Sequence, residues 1–156
     1  MLHSIQKLQP RILVIGDLMI DKYLWGECNR VSPEAPVQII NVKKETKVLG
    51  GAGNVANNLV SLGSKVDVLS VIGGCEISNE LRKLFKKINL STDYLIEQKD
   101  RVTSKKTRII SAQQQVIRYD IETDDDINKD SEKNLIEFFK SIHWLSDTYS
   151  SRYFFV

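Results

Sequence analysis

Leu49-Gly50-Gly51-Ala52-Gly53-Asn54-Val55-Ala56-Asn57-Asn58-Leu59-Val60-Ser61-Leu62-Gly63 is the segment on which the fold assignment turns. Three glycines fall within four positions, immediately before a helical pattern. Val55, Leu59 and Leu62 recur at i, i+4 and i+7, one face of a 3.6-residue period, so Asn54 to Leu62 is expected to be a helix. Gly63 is placed to terminate it as the C′ residue. Glycines let the chain turn sharply and let a ligand approach without a Cβ in the way. The first N–H groups of a helix have no intrahelical partner and carry the positive end of its dipole. Together these suit an oxygen-rich ligand: phosphate, carboxylate or sugar hydroxyls. The plainer reading is a tight, closely packed loop-to-helix turn.

On the N-terminal side, Arg11 to Ile15 (RILVI) is a short apolar run closed by Gly16-Asp17, the pattern of a buried parallel strand. Asp21 to Pro36, with Gly26, Pro33 and Pro36, reads as irregular structure, and Val37 to Val42 as a second strand. On the C-terminal side, Val66 to Ile72 reads as a strand. Ile77, Leu81, Leu84, Phe85 and Ile88 then mark an amphipathic helix, with Arg82, Lys83, Lys86 and Lys87 as its wet face. Tyr94 to Ile96 is a candidate short strand. Thr107 to Ser111 and Val116 to Ile121 form a candidate hairpin around Ala112 to Gln115. Leu135, Ile136, Phe139 and Ile142 line a last helix, for which Ser131 is the expected N-cap. Alternation of strand and helix predicts an α/β domain with a parallel sheet.

Composition narrows the function. The 156 residues carry 22 Lys plus Arg and 20 Asp plus Glu, a net charge of +2, which argues against a general nucleic-acid binder. No apolar run is long enough to cross a bilayer. Cys28 and Cys75 stand far apart, so they are expected as unpaired thiols in a reducing cytoplasm. Two histidines leave no His-based metal site or Ser-His-Asp relay to expect, and no metal site is assigned. Asp124 to Asp126 reads as a solvated acidic loop, and Trp25 as a sugar-stacking ring or a loop anchor.

Two phosphate-binding patterns compete for the glycines. A P-loop needs Lys-Ser or Lys-Thr after them, and neither follows. Gly51-x-Gly53-x-x-Ala56 matches the loose dinucleotide fingerprint, but the expected strand ends several residues earlier and no acid closes the next strand. That reading implies an oxidoreductase and stays the lesser alternative.

Gly50-Gly51-Ala52-Gly53-Asn54-Val55-Ala56, followed by Gly63, resembles the N-terminal signature of the ribokinase (PfkB) carbohydrate kinases. Three more blocks strengthen the likeness: Gly16-Asp17-Leu18-Met19-Ile20-Asp21-Lys22-Tyr23; Arg30-Val31-Ser32-Pro33-Glu34-Ala35-Pro36-Val37; and Lys106-Thr107-Arg108 with Gln114-Gln115, Arg118 and Asp120. Together they resemble the D-glycero-β-D-manno-heptose 7-phosphate kinases, over roughly residues 11 to 142. The resemblance implies a ribokinase-like α/β fold, a parallel sheet flanked by helices with a small β lid from about 21–42 and 105–119. It implies transfer of the γ-phosphoryl of ATP, with Mg2+, to the anomeric hydroxyl of heptose 7-phosphate, in the supply of ADP-heptose for lipopolysaccharide core. Asp21 would take sugar hydroxyls, with Gly50, Gly51 and Asn54 as the substrate-side loop. Lys106, Arg108 and Arg118, grouped with Lys105, would grip the sugar phosphate. The partners implied are the sugar phosphate and a second copy, through lid strands, with no nucleic acid and no membrane.

The sequence also departs from the family. Relatives carry a later G-A-G-D segment whose Asp is the general base, and the adenine pocket lies there too; these 156 residues contain no G-A-G-D. After Leu145-Ser146-Asp147 the family pattern gives way to Thr148 to Val156, a tail with the look of a frameshift that leaves Tyr153, Phe154 and Phe155 without evident partners. The expected organisation is an extension over 1–10, the N-terminal half of a kinase domain over 11–147 and an aberrant tail over 148–156. An uncovered strand edge and apolar face predict a poorly soluble or partly unfolded chain without kinase turnover.

Overall fold

The computed structural model describes residues 9–142 and, as backbone, 151–155. Leu145 to Asp147 and most of the extension lie outside the described residues.

The expected parallel sheet forms the body. β1 (Arg11–Ile15) lies between β4 (Lys65–Gly73) and β8 (Ser151–Phe155), and β5 (Leu95–Gln98) flanks β4, giving the order β5-β4-β1-β8 with every pairing parallel. Alternation along β1 feeds two cores. Ile12 and Val14 pack with Val68, Ile72, Leu81 and Phe85 beneath α1 (Ala52–Ser61) and α2 (Glu76–Lys87). Leu13 and Ile15 pack with Leu69, Ile96 and Ile142 beneath α3 (Lys129–Ser141). The chain therefore shows the α/β architecture expected of the sequence.

A second sheet stands on the body. β2 (Leu18–Val31) pairs antiparallel with β3 (Gln38–Gly51) and parallel with β6 (Ser104–Ser111), and β6 pairs antiparallel with β7 (Gln114–Ile121), in the order β3-β2-β6-β7. Here the structure corrects the sequence reading. Asp21 to Val31 is strand rather than loop, and the strand expected over Val37 to Val42 begins at Gln38 and runs on to Gly51. Gly26 misled the reading because it sits at a β-bulge, where an added Cβ would lie 2.7 Å from the Asn41 carbonyl oxygen. The glycines thus leave β3 directly. β3 is an antiparallel lid strand, however, not the parallel strand of a dinucleotide-binding βαβ unit.

Helix ends follow local chemistry. α1 closes as a Schellman turn: Gly63 has φ 89°, its N–H donates to Val60 O (2.9 Å), and Ser64 N–H donates to Leu59 O (3.1 Å). The N-cap of α3 is Asn128, not Ser131; the Asn128 side-chain oxygen accepts from the Ser131 N–H at 2.8 Å. Of the aberrant tail expected over 148–156, residues 148–150 and 156 lie outside the described residues, and the rest is strand. Ser151–Phe155 form a parallel strand on β1, so that edge of β1 is paired.

Candidate functional site

Register builds one charged face on the lid. Asp21 stands beside Lys106, and Lys106 beside Asp120, so acid, base and acid form one rung across β2, β6 and β7. Side chains of one strand alternate between faces, which places Tyr23, Arg108 and Arg118 on the next rung of the same face. The charges close on one another. Arg108 donates to Asp21 Oδ1 and lies over the Tyr23 ring, 5.4 Å from its centroid. Lys106 Nζ reaches Asp120 Oδ2 at 3.4 Å and Glu122 Oε2 at 3.3 Å. Arg118 Nε lies 3.2 Å from Asp120 Oδ1. The hydrogen bond to Asp21 holds the Arg108 guanidinium even more firmly protonated than usual.

The glycine turn meets this face. A Cβ on Gly50 would lie 2.5 Å from Asp21 Oδ2, so the carboxylate occupies the space that a side chain would need. Gly51 takes φ 56° and ψ −135° as the N-cap of α1, and no side chain caps this helix. A Cβ on Gly51 would lie 2.5 Å from the Asp17 carbonyl oxygen, which accepts from the Ala52 N–H at 2.9 Å. Asn54 is exposed in the first turn of α1. A cavity of about 160 Å³, lined by Asp17, Met19, Val71, Arg101, Ser104 and Glu122 among others, opens beyond β1 and beside the end of β4. The carboxyl ends of parallel strands are where open α/β sheets place their ligands.

The structure thus brings Asp21, Gly50, Lys106, Arg108 and Arg118 together, with Gly51 and Asn54 following at the turn. It separates Lys105 from the group expected around it. Lys105 points to the opposite face and pairs with Glu80 of α2 at 3.0 Å. It also shows that the cations are no bare basic patch, since each carries a carboxylate. The sequence reading missed Tyr23 and Glu122 as members of the face. Parity along β2 would have found Tyr23 had Asp21 to Pro36 been read as strand. Trp25 stacks on Tyr23, ring centroids 6.1 Å apart, and donates to Thr46 Oγ1 at 3.3 Å.

A parallel α/β body that carries a separate β lid beside a glycine turn is the architecture of the ribokinase-like carbohydrate kinases. The chain matches the pfkB family of carbohydrate kinases over residues 9–146 and belongs to that family. It is 63% identical over 128 residues to the bifunctional protein HldE of Aliarcobacter butzleri, covering 82% of this chain and 27% of that protein. It is 60% identical over 122 residues to the bifunctional protein HldE of Sulfurimonas denitrificans, covering 78% of this chain and 26% of that protein. The chain therefore spans about a quarter of the length of these curated relatives. Among solved structures, a carbohydrate kinase from Agrobacterium tumefaciens superposes with a TM-score of 0.57 at 25% identity, covering 72% of this chain and 35% of that chain.

Kinases of this family draw their phosphoryl group from ATP with a divalent cation. Among the described residues no group of three or more His, Cys, Asp or Glu side chains converges to hold a metal ion.

Proposed function

We propose that this chain is the sugar-binding part of a kinase for D-glycero-β-D-manno-heptose 7-phosphate, in the supply of ADP-heptose for lipopolysaccharide core. The observation that carries the reading is the Asp21–Gly50 contact, set beside the cations of β6 and β7. An ionised carboxylate is a strong acceptor for sugar hydroxyls, and the missing Cβ at Gly50 is what lets that carboxylate sit against the turn. The uncapped N-terminus of α1 adds N–H donors, and Asn54 adds an amide. Of the three cations, Arg118 is the cheapest to recruit for the 7-phosphate. Its side chain is 49% exposed, against 22% for Lys106 and 23% for Arg108.

Calorimetry on the isolated chain with heptose 7-phosphate and fructose 6-phosphate tests the acceptor. Binding of the heptose alone is expected; a preference for fructose 6-phosphate moves the assignment to another acceptor within the family. In an ATP-to-ADP assay we expect no turnover from these 156 residues, and robust turnover refutes the inactive-fragment reading. A second reading, a sugar-phosphate-binding module without catalysis, draws on the missing G-A-G-D segment. It gains if binding without turnover is found in a chain shown to be complete in its host. We also infer pairing of two copies through the lid. Ile117, Tyr119 and Ile121 of β7 form an exposed apolar stripe on the face opposite Arg118 and Asp120. Light scattering that finds only monomers at micromolar concentration refutes the pairing.

A further inference from the structure

Asp120 carries an unspent acceptor. Its Oδ1 is shielded from solvent and has no hydrogen-bond partner, although Arg118 Nε lies 3.2 Å away without the alignment of a hydrogen bond. A shielded carboxylate oxygen that accepts no hydrogen bond is costly, even beside a cation, so such an atom calls for an explanation. Oδ2 is already engaged by Lys106 at 3.4 Å. Asp120 shares its rung with Asp21, two strands away, so the two carboxylates flank one lysine on one face. Strands lie about 4.8 Å apart, which sets the two acids roughly 10 Å from each other, the span of a sugar with its phosphate arm.

We infer that Asp120 is a second hydroxyl acceptor for the sugar, covered by Arg118 until a phosphate draws that arginine away. The inference rests on the reading of this face as a sugar-phosphate site. A phosphate offers Arg118 a bidentate partner that Asp120 does not give it in this geometry. Movement of the arginine uncovers Oδ1, which then accepts a hydroxyl hydrogen bond. Phosphate and hydroxyl recognition are thereby coupled: the phosphate both anchors the sugar and releases its second acceptor. An unphosphorylated sugar finds Asp120 covered. Asp120 is here a specificity-determining residue.

The test is calorimetric titration of wild type, Asp120→Asn and Arg118→Gln with three probes: D-glycero-D-manno-heptose 7-phosphate, the unphosphorylated heptose, and inorganic phosphate. Circular dichroism checks that each variant is folded. Asp120→Asn is expected to lose roughly tenfold or more in affinity for the sugar phosphate, the scale of one charged-acceptor hydrogen bond. It should bind inorganic phosphate as well as wild type or better, because Arg118 is released. Arg118→Gln should narrow the preference for phosphorylated over unphosphorylated heptose by gaining affinity for the latter. Unchanged sugar-phosphate affinity in Asp120→Asn overturns the inference alone. Equal losses for sugar phosphate and inorganic phosphate also overturn it, since Asp120 would then only position its cations. Wild type that binds none of the three probes overturns the sugar-phosphate reading, and this inference with it.

Discussion

At Gly51 the backbone takes φ 56° and ψ −135°, a region that L side chains rarely enter. An added Cβ would also meet the Asp17 carbonyl oxygen at 2.5 Å, and that oxygen is fixed by its hydrogen bond from Ala52. Gly50 poses a different problem. Its added Cβ would meet side chains rather than backbone, the carboxylate end of Asp21 (Oδ2 at 2.5 Å) and the stem of Met19 (Cγ at 2.7 Å), which can turn to other rotamers. The two neighbouring glycines should therefore respond differently to alanine. Gly51→Ala should cost about 2–3 kcal/mol of stability, read as a lowered urea midpoint. Gly50→Ala should cost less than about 1 kcal/mol but push the carboxylate off Arg108, weakening sugar-phosphate binding roughly tenfold. Equal unfolding midpoints for the two variants would show that the strain at Gly51 is overstated.

Between elements, the lid is tied to the body through Glu80. This α2 carboxylate takes Lys105 of β6 at 3.0 Å and Lys47 of β3 at 3.4 Å, so one helix side chain holds two lid strands. Farther in, Thr103 Oγ1 accepts from the Gly73 N–H at 2.8 Å and lies 2.7 Å from Ser78 Oγ, pinning the approach to β6 against β4 and α2. Burial acts to raise the Glu80 pKa, but the hydrogen bond and charge of Lys105, with help from Lys47, outweigh it and hold the carboxyl below its ordinary value. A depressed carboxyl pKa stabilises the fold above the unfolded value, near 4.3, and that contribution fades as pH falls through the lower folded value. Glu45, held low chiefly by its hydrogen bond from Lys22, adds to the same acid window. Lys47 behaves oppositely. Its pKa is raised mainly by Glu45, so its contribution is full below about 10.4 and disappears at higher pH. Glu80→Gln should cost about 1 kcal/mol near neutrality and flatten the stability profile below pH 4.5. An unchanged acid limb in that variant would remove Glu80 from the latch.

The same elements show what the sequence could and could not tell. Arg11 to Ile15, the amphipathic period of α2 and the Gly63 terminator were readable because each is a local pattern. The lid strands were not. Both faces of that sheet carry charges, so the apolar alternation that marks a half-buried strand is weak there, and Gly26 interrupts what remains. The site was legible by family likeness in its residue identities and not in its charge balance. Which carboxylate neutralises which cation depends on register between strands 87 positions apart, as for Asp21 and Arg108, and no local spacing encodes that.

At the scale of the whole molecule, and among the described residues, the two faces of the parallel sheet are unequally covered. Beneath α1 and α2 the core includes thirteen buried residues, Leu81 and Phe85 fully enclosed among them. Beneath α3 it includes five. Within α3 itself only Ser131 is buried, Leu135 and Phe139 are partly covered, and Ile136 and Phe138 remain 43% and 39% exposed. Burial contributes about 25 cal/mol per Å² of apolar surface, so a helix that covers little of its apolar side is held weakly. Instability expected of the chain as a whole should therefore be concentrated in α3. Hydrogen exchange should find α3 amides opening on the order of a hundred times more often than those of β1, β4 and α2, a gap of sub-global size. Trypsin under native conditions should cut at Lys133 and Lys140 of α3 before Lys83 or Lys86 of α2. These lysines lie in regular helix in both cases, so a difference in cleavage reports the ease of local unfolding rather than of access to a loop. If α3 proves as slow to exchange as β1, the thin face is sturdier than its burial implies, and the chain is a stable unit without further cover.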